Sequence, residues 1–156
     1  KVVGRKLDSA YEVYFSLYQQ LVGENGEEIF REFDSEFFDL IIVDECQFMT
    51  MAQIDQLREL VDREDLPVLC FGLRTDFQTK LFPGSMRLFE LADSITEIKT
   101  ICDCGRKATT NARISPEGYV VTEGDQVFLG GNDSYIAMCH KCWVDKIRAQ
   151  KEAENA

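Results

Sequence analysis

Two groups of residues in this chain have the types and spacing to do chemistry. The first is DLIIVDECQF at 39–48, where the apolar run Leu40 to Val43 passes straight into Asp44 and Glu45. A buried parallel strand delivers its last residues to the sheet edge at which α/β proteins bind ligands. An apolar run ending in Asp also has the form of a Walker B strand. There the carboxylate holds Mg²⁺, directly or through water, while the metal bridges phosphate oxygens. A neighbouring Glu is then placed to take a proton from an attacking hydroxyl. A plainer reading stands beside this one: two acids after a strand also suit the N-terminal end of the next helix. A Walker B strand calls for an upstream GxxxxGK[ST] loop, and residues 1–43 contain none.

The second group is Cys102-Asp-Cys104 and Cys139-His-Lys-Cys142. Four thiolates suit one tetrahedral Zn²⁺, and a set with no open position is structural. The second pair has the usual two-residue spacer, whereas the first is tighter. Gly105 permits the turn that brings backbone close to a metal. His140, the single histidine, is an alternative ligand. Free or redox-active thiols are the competing reading. The remaining cysteines, Cys46 and Cys70, read as small buried residues at strand ends.

The elements that must position these groups follow from composition and periodicity. The 156 residues are 45% hydrophobic and 29% charged, which is a globular composition fitting one domain or one domain with a small appendage. A net charge of −11 argues against a nucleic-acid partner, which needs a basic stripe. No apolar run is long enough for a membrane span, and no signal peptide is visible. Six cysteines would allow three disulfides in a secreted chain, but this apolar content does not need staples.

SAYEVYFSLYQQLV (9–22) has helical spacing and ends at Gly23. Residues 39–44 read as a buried strand. Thr50 caps an expected helix over 51–64, with Ile54, Leu57, Leu60 and Val61 on one face. PVLCFGL (67–73) reads as a second buried strand, so the pair and its helix form a parallel βαβ unit. GSMRLFELAD (84–93) reads as a helix, followed by a strand near 94–101. From Cys102 the text becomes turn-rich and period-two: short antiparallel strands, a long loop at 121–134, and a polar helix over 143–156. The best boundary falls near residue 101.

With these residues in view, the chain resembles the zinc-containing (type II) thymidine kinases in their bacterial form. The matching stretches are IIVDECQF (41–48), LPVLCFGLRTDFQTKLFPGS (66–85), IKTICDCGRKAT (98–109) and GDQVFLGGNDSYIAMCHKC (124–142), in register over nearly the whole chain. The resemblance implies a P-loop-NTPase-like parallel sheet over 1–101, then a small antiparallel zinc-ribbon-like domain with a lasso loop over 102–156. It implies ATP- and Mg²⁺-dependent phosphorylation of the 5′-hydroxyl of thymidine and deoxyuridine. By position, Glu45 is the proton acceptor and Asp44 the Mg²⁺-associated acid, and Asp44, Glu45, Cys46 and Gln47 lie against the nucleotide phosphates. Phe48 and Phe77 enclose the nucleoside, and Leu73 and Tyr135 border thymine. Gln126, Val127, Phe128, Leu129 and Gly130 belong to the lasso, whose backbone reads the base. Cys102, Cys104, Cys139 and Cys142 match the zinc ligands. Arg74 and Lys80 are candidates to face phosphate. Family members are cytoplasmic homotetramers subject to feedback by thymidine triphosphate.

For Phe48, Phe77 and Tyr135, ordinary core packing is the alternative without the resemblance. The chain begins at Lys1, where KVVGRKL resembles the stretch after the family's second strand. The upstream β-loop-α-β unit, on the order of 45 residues, is not in this sequence. Two functions are therefore expected to compete: a thymidine kinase, and a zinc-stabilised module that retains at most nucleoside binding or an interface.

Overall fold

The structure, a computed structural model, describes residues 37–127 and 135–154. The helix expected over 9–22 lies outside them, as do Phe128, Leu129 and Gly130. Strand β1 (Ile41–Val43) and strand β2 (Val68–Cys70) pair in parallel, with Ile41 opposite Val68 and Val43 opposite Cys70. Helix α1 (Met51–Glu64) connects them, so the βαβ unit read from the sequence is present. Its start is chemically defined. The Thr50 hydroxyl accepts from Gln53 N–H, and the Gln53 side chain accepts from Thr50 N–H, which closes a capping box. Ile54 is its buried anchor. Asp65 ends the helix in the left-handed region, with φ 51°.

Helix α2 (Pro83–Leu91) opens on a proline, whose fixed φ suits a first helical turn. It lies against α1, where Arg87 Nε meets Asp55 at 2.6 Å and Arg58 meets Asp93 at 2.6 Å. These exposed pairs orient the helices more than they stabilise them. Gly84 matters more. A Cβ there would fall 2.6 Å from the carbonyl oxygens of Cys46 and Met49, so only glycine lets α2 approach the turn after β1. Gly84→Ala should cost about 1–3 kcal/mol, since backbone cannot yield cheaply. A lower urea midpoint at unchanged m would register the cost; an unchanged midpoint would mean that the turn has room.

The second half is antiparallel. Strand β3 (Thr100–Ile101) pairs with β4 (Lys107–Ala108), and β5 (Thr110–Arg113) pairs with β6 (Tyr135–Met138). Helix α3 (His140–Glu154) closes the described chain. A small core of Cys102, Ala112, Met138 and Cys139 lies here, with Ile114, Cys142 and Trp143 packed against it.

Three expectations need correction. The first two strands are not fully buried: Ile42 and Leu69, paired across the strands, are 62% and 48% exposed. Alternation turns both to one face, which is open to solvent in the described structure. Residues 94–99 form no strand. Only Thr100 and Ile101 find a partner, while Ile95 and Ile98 stay exposed. The last helix starts at His140 rather than 143, because the Cys139–Cys142 spacer is itself its first turn.

Candidate functional site

Strand alternation does not extend to Asp44 and Glu45, because β1 ends at Val43 and the backbone turns just beyond it. Glu45 sits in the left-handed region at φ 54°, a conformation that costs a non-glycine residue about 1–3 kcal/mol. Neighbouring hydrogen bonds hold it there. Glu45 N–H donates to the Asp44 carboxylate at 2.9 Å, and Phe48 N–H donates to Glu45 C=O at 3.1 Å. Cys46 N–H donates to Phe71 C=O at 3.0 Å. The chain turns as β1 ends, into one 3-10 turn over Cys46–Phe48. Both carboxylates are exposed at that edge.

Gln47 is the fixed point of this edge. It is 1% exposed, and its amide works in two directions. Nε2 donates to the Glu45 carboxylate, and Oε1 accepts from Leu73 N–H at 3.0 Å. The strand-end acid is thereby tied to the chain just after β2. Gly72 makes room for this, since a Cβ there would lie 2.4 Å from Gln47 Oε1. Cys46 is buried beside Cys70, and that sulfur contact, with burial, pushes its thiol up. It is a packing group, as expected.

The segment 75–81 forms a tight hairpin organised by Asp76. This residue is 4% exposed; its Oδ1 accepts from Gln78 N–H and Lys80 N–H at 2.9 Å each. Its Oδ2 takes Gln126 Nε2 at 2.9 Å, and Gln78 Nε2 reaches Thr122 C=O at 3.1 Å. The α/β half and the antiparallel half meet through these bonds. Arg74 adds one more, to Thr109 C=O at 3.4 Å.

The expected nucleoside residues fall into two settings. Phe48 is 56% exposed, edge-on to Phe82 at 5.7 Å, and Leu73 is 41% exposed. Phe77 is 1% exposed, with one ring face covered by the Arg113 guanidinium, 3.7 Å from the ring centroid. Arg113 also donates from Nε to the Tyr135 hydroxyl at 3.1 Å. Val127 is exposed, while Gln126 is half-buried. Sequence reading missed Asp76 and Arg113. For Asp76 a signal existed, since aspartate readily nucleates turns through its own side chain. Arg113, on a four-residue strand, carried none.

The four paired cysteines come together: their sulfur atoms lie within 4.8 Å of one another, and Cys104 Sγ is 3.6 Å from Cys139 Sγ. A tetrahedral Zn–S₄ centre needs sulfur separations of about 3.8 Å. Donor set and spacing both fit zinc. Local backbone prepares the ligands. Gly105, at φ 82°, turns its N–H onto Cys102 C=O at 2.8 Å. Backbone N–H groups around Cys102 bring its thiol down to about 7. The Cys142 N–H, in the first turn of α3, donates to Cys139 Sγ and lowers it as well. Hydrogen bonding with the Cys104 and Cys139 sulfurs, followed by burial, pushes the Cys142 thiol up to about 12. His140 is not in the cluster; its ring leans on Trp143 at 5.7 Å.

A cleft of about 480 Å³ lined by Phe38, Asp39 and residues 63–67 lies elsewhere, at the opposite end of β1 and β2. It holds none of these groups.

A parallel strand pair that releases two carboxylates at one edge, joined to an antiparallel unit built around four thiols, defines an α/β protein with a metal-type cysteine centre. The chain belongs to the thymidine kinase family, whose sequence model matches residues 12–143. It is 54% identical to a thymidine kinase of Shewanella oneidensis over 101 residues, which is 65% of this chain and 53% of that protein. It is 52% identical to the thymidine kinase of Vibrio cholerae over 107 residues (69% and 56%), and 50% identical to that of Yersinia pestis over 109 (70% and 56%). The chain spans about half the length of the curated relatives it matches.

Proposed function

We propose that the protein containing this chain is a thymidine kinase, which transfers the γ-phosphoryl group of ATP to the 5′-hydroxyl of thymidine or deoxyuridine. The observation that carries this reading is the Gln47 bridge. It ties the carboxylate of Glu45, at the strand edge, to the Leu73 amide in the stretch expected to border the base. A proton acceptor and a nucleoside wall must keep a fixed relation for in-line attack, and a buried amide bonded at both ends maintains one.

In this reading the 5′-oxygen forms a bond to the γ-phosphorus, the bridge to the β-phosphate breaks, and the hydroxyl proton passes to Glu45. ATP with Mg²⁺ supplies the phosphoryl group when bound, and the exposed Asp44 carboxylate is a hard oxygen ligand suited to that metal. Asp44 through Gln47 face the phosphates, with the buried Cys46 offering backbone rather than thiol. Phe48, Leu73, Phe77 and Tyr135 shape the nucleoside end, and the stretch from Gln126 through Gly130 reads the base through backbone. Four cysteines hold a structural zinc. We read 1–101 as part of a P-loop-type kinase unit and 102–156 as its zinc-binding lasso unit. From the family likeness we further infer a cytoplasmic homotetramer that binds thymidine triphosphate. Among the described residues no helix is long and apolar enough to cross a membrane.

The test is ATP- and Mg²⁺-dependent formation of thymidine monophosphate by the full-length protein. Turnover is the expected result. Its absence, with zinc and fold retained, would favour the non-enzymatic module instead.

A further inference from the structure

We propose that Arg113 is a positioning residue for the nucleoside end of the site, and that its guanidinium sets affinity for the base. The proposal rests on the kinase reading, because three of the residues Arg113 touches, Phe77, Gln126 and Tyr135, are ones that reading assigns to the nucleoside.

Those residues come from three separate places in the chain. Phe77 is in the hairpin after β2, Tyr135 opens β6, and Asp125 and Gln126 belong to the loop after β5. One side chain meets all of them. The Arg113 guanidinium stacks on the Phe77 ring at 3.7 Å. Its Nε donates to the Tyr135 hydroxyl at 3.1 Å. Its Nη2 donates to Asp125 C=O at 2.9 Å and to Gln126 C=O at 3.4 Å. The register explains the reach, since Arg113 and Tyr135 are cross-strand partners. The main chain adds a tie, with Val121 N–H on Arg113 C=O at 2.9 Å.

The chemistry favours arginine in particular. A planar fork donates in several fixed directions while its face lies on an aromatic ring; an ammonium cannot do both. Arg113 is 7% exposed, so its rotamer is locked and the order it imposes is durable. Gln126 is held from the other side too, because its side-chain amide donates to the buried Asp76. Side chain and backbone carbonyl of Gln126 are thus both held, which fixes the course of the main chain at this end of the site. A ring, a phenol and a backbone segment, all held by one guanidinium, form a prearranged wall for a flat ligand with polar edges. Arranging that wall before binding removes an ordering cost from each binding event.

The test compares the full-length, zinc-loaded protein with Arg113→Lys and Arg113→Gln. Thymidine affinity is measured by titration calorimetry, KM for thymidine and for ATP by turnover, and loop order by cleavage after the exposed Glu123 with a glutamate-specific protease. The expected result is thymidine affinity weaker by roughly 10–100-fold, the loss for hydrogen bonds to a charged group. KM for ATP should stay within about twofold, the mark of a contact at the nucleoside end alone. Cleavage after Glu123 should accelerate. Unchanged thymidine affinity would overturn the proposal. So would equal losses toward ATP and thymidine, or loss of zinc and fold in both variants, since either makes Arg113 a general structural residue. A parent protein that binds thymidine without turnover would sink the kinase reading alone, and the calorimetry would still judge Arg113.

Discussion

Glu45→Gln should abolish turnover in the full-length protein while thymidine still binds. The substitution keeps size and shape and removes the proton acceptor. General base catalysis contributes roughly 10²–10⁴-fold, so kcat should fall by about that factor. Each tenfold corresponds to about 1.4 kcal/mol of barrier. KM for thymidine should hardly move, because a group that acts only in the transition state does not contribute to ground-state binding. The structure makes this a clean test. Gln47 Nε2, which donates to the Glu45 carboxylate, can also donate to an amide oxygen, though without the assistance of charge. The left-handed backbone at residue 45 is held by main-chain bonds and the Asp44 carboxylate, none of which uses the Glu45 side chain. Steady-state rates with saturating ATP and Mg²⁺, and thymidine binding by calorimetry, read the two halves separately. A rate within about tenfold of the parent would remove Glu45 as proton acceptor.

Stripping zinc should unfold the antiparallel half. Among the described residues its buried core is small, and two of its members, Cys102 and Cys139, belong to the four-sulfur cluster. A core that shares its members with a metal cluster is expected to draw folding free energy from the metal. Structural zinc supplies about 10–16 kcal/mol in small peptides near neutral pH. Trp143, the single tryptophan, packs against this core and reports on it directly. A strong chelator, or Cys139→Ser, should shift its emission to that of a solvated indole, with loss of bound zinc by atomic spectroscopy. A native protein without zinc, or Trp143 emission indifferent to metal loss, would refute the structural role.

Much of this was legible before any coordinates. The helix over 51–64 could be read because its signals are local: Thr50 and Gln53 cap each other across three residues, and Ile54 marks the buried stripe. The parallel strand pair was legible from two apolar runs joined by a helix. The cysteine centre was legible because two close pairs have few other uses in such a chain, and Gly105 announced the turn at the first pair. The end strands were misread where apolar content suggested burial but no partner strand followed, as at Ile95 and Ile98.

What the sequence determined by itself is therefore the family, the βαβ unit, the four-cysteine cluster, and the pair of carboxylates at a strand end. Only the tertiary structure decided how these become a site. It turned the backbone at Glu45 into the left-handed region just past β1, where both adjacent acids are exposed. It placed buried Gln47 between Glu45 and Leu73, which lie on either side of α1 and β2. It brought Asp76 to Gln126 and Arg113 to Phe77. The physical reason is one of range. Caps, turns and periodicity act between near neighbours and leave their mark in residue order. A hydrogen bond or ring contact between distant residues depends on where the whole chain has packed, and nothing in either residue's neighbourhood records its partner.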